Sequence, residues 1–463
     1  MPNICLCLFL ALSTVPTKAV LCPVVPAPPT VGMRATYSGR LQALEDADVD
    51  QSGRTFRLTY LVTEIKPNAG PRLIWLLEEG AGGPHWTWAQ RFGEVSLGAS
   101  FEPSSDREEP AIQADRDGNL RVIPLPLVFF GSPEPIRAGG QWGTREGQFQ
   151  VAGTEETAGR KCWKIGLTTN LGPKGVFWVD QQNAILVRWR QIVFLGLGVP
   201  YELSLDLEKS EDLTPEAAAQ VAKAHLALAG LRGTVKGKLS ELPETDLPAT
   251  AAFQERAQTT ATQIQTDLKS GPYVDLARDV VRETQTGLDR ERDVARLRDR
   301  VVGKPAKEFV IRTTRGEQVS LADFRGMPVV LHFWDYRSEP KVAPYGETGY
   351  LDFVWRQRQK EGIRVLGIAV DRRLRDESVR PTARKDVRSF CEFMNLSYPI
   401  AFDDGDKSVI ELFGDPRTVG GRMPLYVVIA PDGTVADYHV GLWSATADEG
   451  LKALDQQLRA LRK

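Results

Sequence analysis

Between residues 33 and 210 short apolar runs alternate with turn signals. Examples are "RTFRLTYLVTEI", "PRLIWLLEEG", "NLRVIPLPLVFFG", "KGVFWVDQQNAILVRWRQIVF" and "YELSLDLEKS". Several keep a period of two: Phe177 and Val179 against Trp178 and Asp180, and Val187 and Trp189 against Arg188 and Arg190. That period places one set of side chains on each face of a sheet. Asp180 to Asn183 supplies a hairpin turn. The pattern predicts an antiparallel β domain of many strands with hardly any helix.

The pattern changes at about residue 211. "LTPEAAAQVAKAHLALAGL" opens with Thr214 as N-cap and Pro215 at the first helical position, and Gly230 marks its end. "ATAAFQERAQTTATQIQTDLKSG" and "PYVDLARDVVRETQTGLDRERDVARLRDRV" read as further helices. The last is charged, with Asp289–Arg292 and Asp293–Arg296 at a spacing that pairs on a helix. Residues 211–300 are therefore expected to form a helical connector. From Val301 the order becomes strand, helix, strand. "VVLHFW", "IRVLGIAV" and "PLYVVIA" are β-branched runs suited to buried strands, with "DFVWRQRQKEG" and "VRSFCEFMNL" as amphipathic helices between them. Pro431-Asp432-Gly433 predicts a turn into an edge hairpin. The expected fold is multidomain: a β domain over 33–210, the connector over 211–300, and an α/β sandwich over 301–463.

The N-terminus reads "MPNICLCLFLALSTVPTKAV". Its apolar run has the length of a signal-peptide core and is too short to span a bilayer, although no Lys or Arg precedes it. Residues 1–20 are expected to be an export signal, cleaved or retained as an attachment, and the Pro-rich residues 21–32 a leader. No later stretch approaches the about 18 apolar residues of a membrane helix. The expected location is periplasmic or extracellular. A formal net charge of -2 gives no global attraction to nucleic acid. "RRLRDESVRPTARKDVR" interleaves acids with its bases and lacks aromatics, so it reads as an exposed face.

The last 163 residues resemble the thioredoxin-like superfamily, in its alkyl hydroperoxide reductase/thiol-specific antioxidant and thiol–disulfide oxidoreductase branch. "VGKPAKEFVIRTTRGEQVSLADFRGMPVVLHFW" is similar to the opening of that domain, "GIRVLGIAVD" to its next parallel strand, "YPIAFDDGDKSVIELFG" to the entry of a later helix, and "GGRMPLYVVIAPDGTV" to the loop carrying the family's cis-proline. The resemblance implies a cis bond before Pro424, and a backbone beside it that pairs with extended polypeptide. The redox motif departs from the pattern. Registered on Phe333-Trp334 and Pro340, the two cysteine positions hold Ser338 and Lys341, so that Cys-x-x-Cys reads "SEPK". Pro344, Gly346 and Gly349 then interrupt the helix start that would stabilise a thiolate. The next helix is expected near Glu347 or Thr348.

Each candidate residue has a plain structural reading beside the chemical one. Ser338 with Lys341 as base would make a hydrolase, but no oxyanion hole is apparent and both read as loop residues. Tyr336, Arg337, Glu339 and Pro340, with Met423 and Pro424, form the candidate binding set, for which a solvated loop is the default. His332 reads as a core histidine. His85, His225, His332 and His439 are scattered without carboxylates at ligand spacing, which argues against a metal; no cofactor is expected. Cys391 lies among Val387, Phe390 and Met394 and reads as a packed thiol, with a relocated redox role in reserve.

Two functions of different class follow. One is a non-catalytic exported protein whose redox-inactive domain binds a polypeptide or envelope component at the Pro424 loop. The other is a thiol oxidoreductase or peroxidase working through Cys391. The β domain loosely resembles the half-barrels of exported lipoprotein-carrier-like proteins. That likeness, with seven of the chain's ten Trp here, adds an apolar ligand as a third possibility; a Trp-rich core is the commoner cause.

Overall fold

The computed structural model describes residues 27–44, 53–66, 70–80, 87–102, 108–116, 119–195, 199–234, 250–335, 346–405, 407–443 and 451–462. The chain divides into two compact units, residues 1–229 and 230–463.

The first unit contains β1 (Met33–Ala43), β2 (Arg54–Ile65), β3 (Pro71–Glu79), β4 (Phe92–Ser96), β5 (Ala111–Arg116), β6 (Asn119–Pro124), β7 (Gln141–Thr144), β8 (Gly147–Thr157), β9 (Arg160–Thr169), β10 (Gly172–Asp180), β11 (Leu186–Leu195) and β12 (Val199–Asp212). Ten of these form one antiparallel sheet in the order β4-β3-β2-β1-β12-β11-β10-β9-β8-β7. The period of two seen in the sequence selects one face. Tyr37, Leu58, Tyr60, Leu73, Trp75, Ile165, Phe177, Val179, Trp189, Leu203 and Leu205 share a single buried core.

The separate β5–β6 hairpin and the segment after it cover that face with the chain's own side chains. Ile112, Ile123, Leu125, Val128 and Phe129 belong to the same core. The cover is tied down by polar bonds. Leu186 N–H donates to the Val128 carbonyl at 2.8 Å, and the Tyr60 hydroxyl to the Pro126 carbonyl at 2.7 Å. Each satisfies a group that burial would otherwise penalise. Gly39 is required where Phe56 crosses β1: a Cβ there would lie 2.1 Å from the ring. The sheet's other side receives α1 (Pro215–Arg232), whose His225 meets Phe92 edge-on at 5.4 Å.

In the second unit α2 (Ala251–Leu268) and α3 (Pro272–Val301) are the remaining helices expected of the connector. Thr250 caps α2 by accepting from Phe253 N–H at 3.2 Å. On α3 the pairs Asp289–Arg292 at 2.8 Å and Asp293–Arg296 at 2.6 Å form as their spacing predicts. The end of α3 is part of the α/β core: Leu297 clusters with Phe309 and Phe413.

The α/β part follows as β13 (Val310–Arg312), β14 (Gln318–Ser320), β15 (Val329–Trp334), α4 (Gly346–Arg358), β16 (Arg364–Ala369), α5 (Arg380–Phe393), β17 (Ile400–Phe402), α6 (Val409–Phe413), β18 (Leu425–Ile429), β19 (Val435–Val440) and α7 (Lys452–Leu461). Its central sheet has the order β17-β16-β15-β18-β19. β15 runs parallel to β16 and antiparallel to β18, and β18–β19 is the expected edge hairpin. Both faces of β15 are covered. Leu331 and Phe333 enter the core that contains α6, while Val330 and Trp334 enter the one that holds Leu351, Val387 and Leu454. This two-sided burial is why "VVLHFW" is a continuous apolar run rather than an alternating one.

Candidate functional site

In a sheet of this kind ligands meet the carboxyl ends of the parallel strands, where connections part to opposite faces. Here that end is formed by Trp334 at the end of β15 and Asp335 after it, Val370 and Asp371 after β16, and Asp403 after β17. Arg417 ties these connections together. Its guanidinium holds Asp415 at 2.8 Å, donates to the Val370 carbonyl at 2.9 Å and lies 3.8 Å from Asp335. Asp403 is buried, accepting from Ser408 Oγ at 2.6 Å and from Val409 N–H at 2.8 Å. These are paired, structural charges.

Pro424 stands at the start of β18, and the Met423–Pro424 bond is cis. The Pro424 carbonyl accepts from Gly441 N–H at 2.8 Å. Met423 buries its side chain, but no hydrogen bond to its backbone N–H or carbonyl forms among the described residues.

Two residues further along β18, Tyr426 begins a buried polar cluster. Its ring stacks on His332 at 4.8 Å and its hydroxyl donates to Glu347 Oε2 at 2.5 Å. Glu347 sits in the first turn of α4 and is 3% exposed. Burial pushes its carboxyl up to about 7; the Tyr426 hydroxyl and the backbone N–H of Trp443 pull the other way. Its other oxygen, Oε1, has no hydrogen-bond partner among the described residues. Burial pushes the fully enclosed His332 down to about 3, so its imidazole is neutral near pH 7. His439 stacks on Trp443 at 4.3 Å and closes the cluster on the β19 side. The set can therefore hold or release one proton near neutrality, at Glu347.

Tyr336, Arg337, Ser338, Glu339, Pro340 and Lys341 lie outside the described residues, as does His85. The structure places Met423 and Pro424 beside the Tyr426–Glu347 cluster through the strand register. Cys391 belongs elsewhere. It is half-buried on α5, against the core of Trp334 and Leu351, whereas Met423 packs in the core on the other side of the sheet. Burial pushes its thiol up to about 12. His225 is a buried helix residue and His439 is half-buried on its strand. Among the described residues no group of three His, Cys, Asp or Glu is placed to hold a metal.

Reading the sequence for chemistry missed Glu347, Tyr426 and Trp443. A Glu in a helix's first turn is ordinarily an exposed dipole partner. Only the register of β18 against β15 brings a tyrosine hydroxyl over it.

The sequence model of the AhpC/TSA family matches residues 302–438. The chain is 28% identical over 134 residues to the thiol-disulfide oxidoreductase ResA of Geobacillus thermodenitrificans, covering 29% of this chain and 66% of that protein. It is 27% identical over 113 residues to ResA of Bacillus thuringiensis subsp. konkukian, covering 24% and 57%. The chain thus spans less than two thirds of these relatives' length. The thioredoxin domain of a thiol-disulfide oxidoreductase from Bacteroides vulgatus is similar in structure at 19% identity and a TM-score of 0.25, over 34% of this chain and 98% of that one. With the AhpC/TSA family match lying on the sheet and helices described above, residues 302–438 form a thioredoxin-like redoxin domain.

Proposed function

We propose that the redoxin domain works without thiol chemistry, as a binding domain for an extended polypeptide in an exported protein. The observation that carries this reading is the position of Cys391. It is the one cysteine in residues 301–463, it packs on the face opposite Met423, and burial holds it as a thiol. A redox site needs a thiolate at the reacting edge. The motif positions, Ser338 and Lys341, can neither form nor resolve a disulfide. The binding half of the family's site needs no cysteine. Among the described residues the backbone N–H and carbonyl of Met423 have no partner, and such groups are those by which an extended chain adds to an edge. Tyr336, Arg337, Glu339 and Pro340 would line the same edge.

The export signal at residues 1–20 and a half-barrel form for the β domain belong to this reading. Among the described residues no helix is long and apolar enough to cross a membrane. An apolar ligand in the β domain is not favoured, because Ile112, Ala114, Ile123, Leu125, Val128 and Phe129 pack into the apolar core of its sheet.

The test is dithiothreitol-dependent insulin reduction and peroxide turnover by the full chain, beside Cys391→Ser. Neither protein should turn over. Turnover by wild type that Cys391→Ser abolishes would overturn the reading in favour of a relocated thiol.

A further inference from the structure

The β domain exposes three large apolar side chains at one end of its sheet. Leu171, in the β9–β10 turn, is 94% exposed, Phe194 on β11 57%, and Leu44, just past β1, 50%. Antiparallel pairing brings them to the same end: Gly172 pairs with Thr169, Phe194 with Pro200 and Ala43 with Tyr201. The strands concerned are neighbours, in the order β1-β12-β11-β10-β9. Phe194 and Pro200 stand opposite each other on the face away from Val193 and Leu195, which belong to the core. Leu44 N–H donates to the Pro200 carbonyl at 3.1 Å and carries the row on to the end of β1.

Polarity on this face is sorted along the strands. Toward the end, β11 presents Arg188, Arg190, Ile192 and Phe194, and the residues opposite on β12 are Asp206, Ser204, Glu202 and Pro200. The inner rows are ion-paired: Asp206 holds Arg188 at 2.7 Å and Arg190 at 2.8 Å. Only the last row is wholly apolar. A boundary that runs across the strands fits contact with a layer whose polarity changes with depth. A partner protein would instead need a contiguous, shape-matched patch. The three side chains expose on the order of 400 Å², and a second copy meeting them would bury about twice that, short of the roughly 1,200 Å² at which stable interfaces begin. A bilayer interface needs no such patch, since it takes in separate apolar side chains below its headgroups.

Charge near this end selects the lipid. Glu45, Asp46, Asp48 and Asp50 follow Leu44 in the sequence, so an anionic surface offers no attraction here. We propose that this end of the β domain's sheet seats on a zwitterionic lipid bilayer, with Leu44, Phe194 and Leu171 in the apolar layer below the headgroups. The inference is independent of what the redoxin domain binds.

The experiment sediments the full chain with sucrose-loaded phosphatidylcholine vesicles. Every variant keeps the wild-type N-terminus, so the apolar run at residues 4–12 contributes equally to each. Leu171→Ser and Phe194→Ser should each weaken partitioning about tenfold, and the two together about a hundredfold. Val122→Ser, at an exposed apolar side chain of β6 outside this row, should leave it within about twofold. Replacing part of the phosphatidylcholine by phosphatidylglycerol should strengthen wild-type binding by no more than about threefold, and a larger gain would overturn the choice of a neutral surface. A double variant that partitions like wild type would overturn the inference, as would a wild type that does not sediment with the vesicles. A wild-type dimer in solution that the double variant dissociates would overturn it in favour of an interface between copies. Should the double variant lose its native circular dichroism, Phe194→Trp decides. Its added fluorescence should be quenched by lipid brominated on the acyl chains, and fluorescence that stays unquenched would overturn the inference.

Discussion

Glu347 should make the redoxin domain less stable as pH rises through neutrality, against the usual trend for carboxylates. Its carboxyl is raised from 4.5 to about 7 in the fold, with burial as the first cause. The folded state therefore binds a proton that the unfolded state has already lost between those values. Stability from this group is fully present below pH 4.5 and is lost as pH rises to about 7. A rise of this size corresponds to about 3 kcal/mol, at about 1.4 kcal/mol per unit. The group is 3% exposed, so solvent screening removes little of it.

The measurement must report one domain of a multidomain chain. Cys391 lies in the redoxin core and is half-buried there, so a brief pulse of alkylation in increasing urea, read by mass spectrometry on its peptide, follows that domain alone. Wild type and Glu347→Gln are compared at pH 5, 6, 7 and 8. Glutamine keeps an acceptor for Tyr426 but carries no titrating proton. Other titrations, His332 included, cancel in the difference. Relative to Glu347→Gln, wild type should lose about 3 kcal/mol between pH 5 and pH 8. A difference flat to within about 0.5 kcal/mol over that range would refute the argument, because a buried neutral acid cannot be silent there.

Three further outcomes follow from the same structure. His332, lowered from 6.5 to about 3, contributes stability above pH 6.5 that is lost as pH falls. Against His332→Phe, wild type should lose about 2–3 kcal/mol by pH 4.5 in the same pulse assay; no relative loss would show that the imidazole is charged in the fold. Native Cys391, raised from 9.0 to about 12 by burial, should react with iodoacetamide at pH 7.5 about 10³-fold more slowly than in the urea-unfolded chain, and equal rates would contradict its packing. Gly39→Ala would place a Cβ 2.1 Å from the buried Phe56 ring. It should lower the urea midpoint of the β domain by an amount worth about 1–3 kcal/mol, read from Cys162 labelling, and an unchanged midpoint would mean that the ring moves freely.

How far the sequence reveals this molecule depends on the range of the interactions concerned. "KGVFWVDQQNAILVRWRQIVF" could be read as a hairpin because alternation and turn chemistry are local, and β10 and β11 pair with Phe177 opposite Trp189. The redoxin order was legible for a similar reason: continuous β-branched runs, spaced by amphipathic helices, permit few other arrangements. The cover formed by β5, β6 and the segment after them was not, since "NLRVIPLPLVFFG" reads equally as one more strand of the sheet; only the bonds from Leu186 N–H and Tyr60 to its backbone show what it rests on.

The site divides in the same way. Pro424 is marked by its neighbours in the chain, whereas Glu347 becomes unusual through contacts 79 residues away, at the Tyr426 hydroxyl. The run "SEPK" at residues 338–341 is visible at once. A carboxylate without a counter-charge is not visible, because each residue that desolvates it is ordinary where it stands.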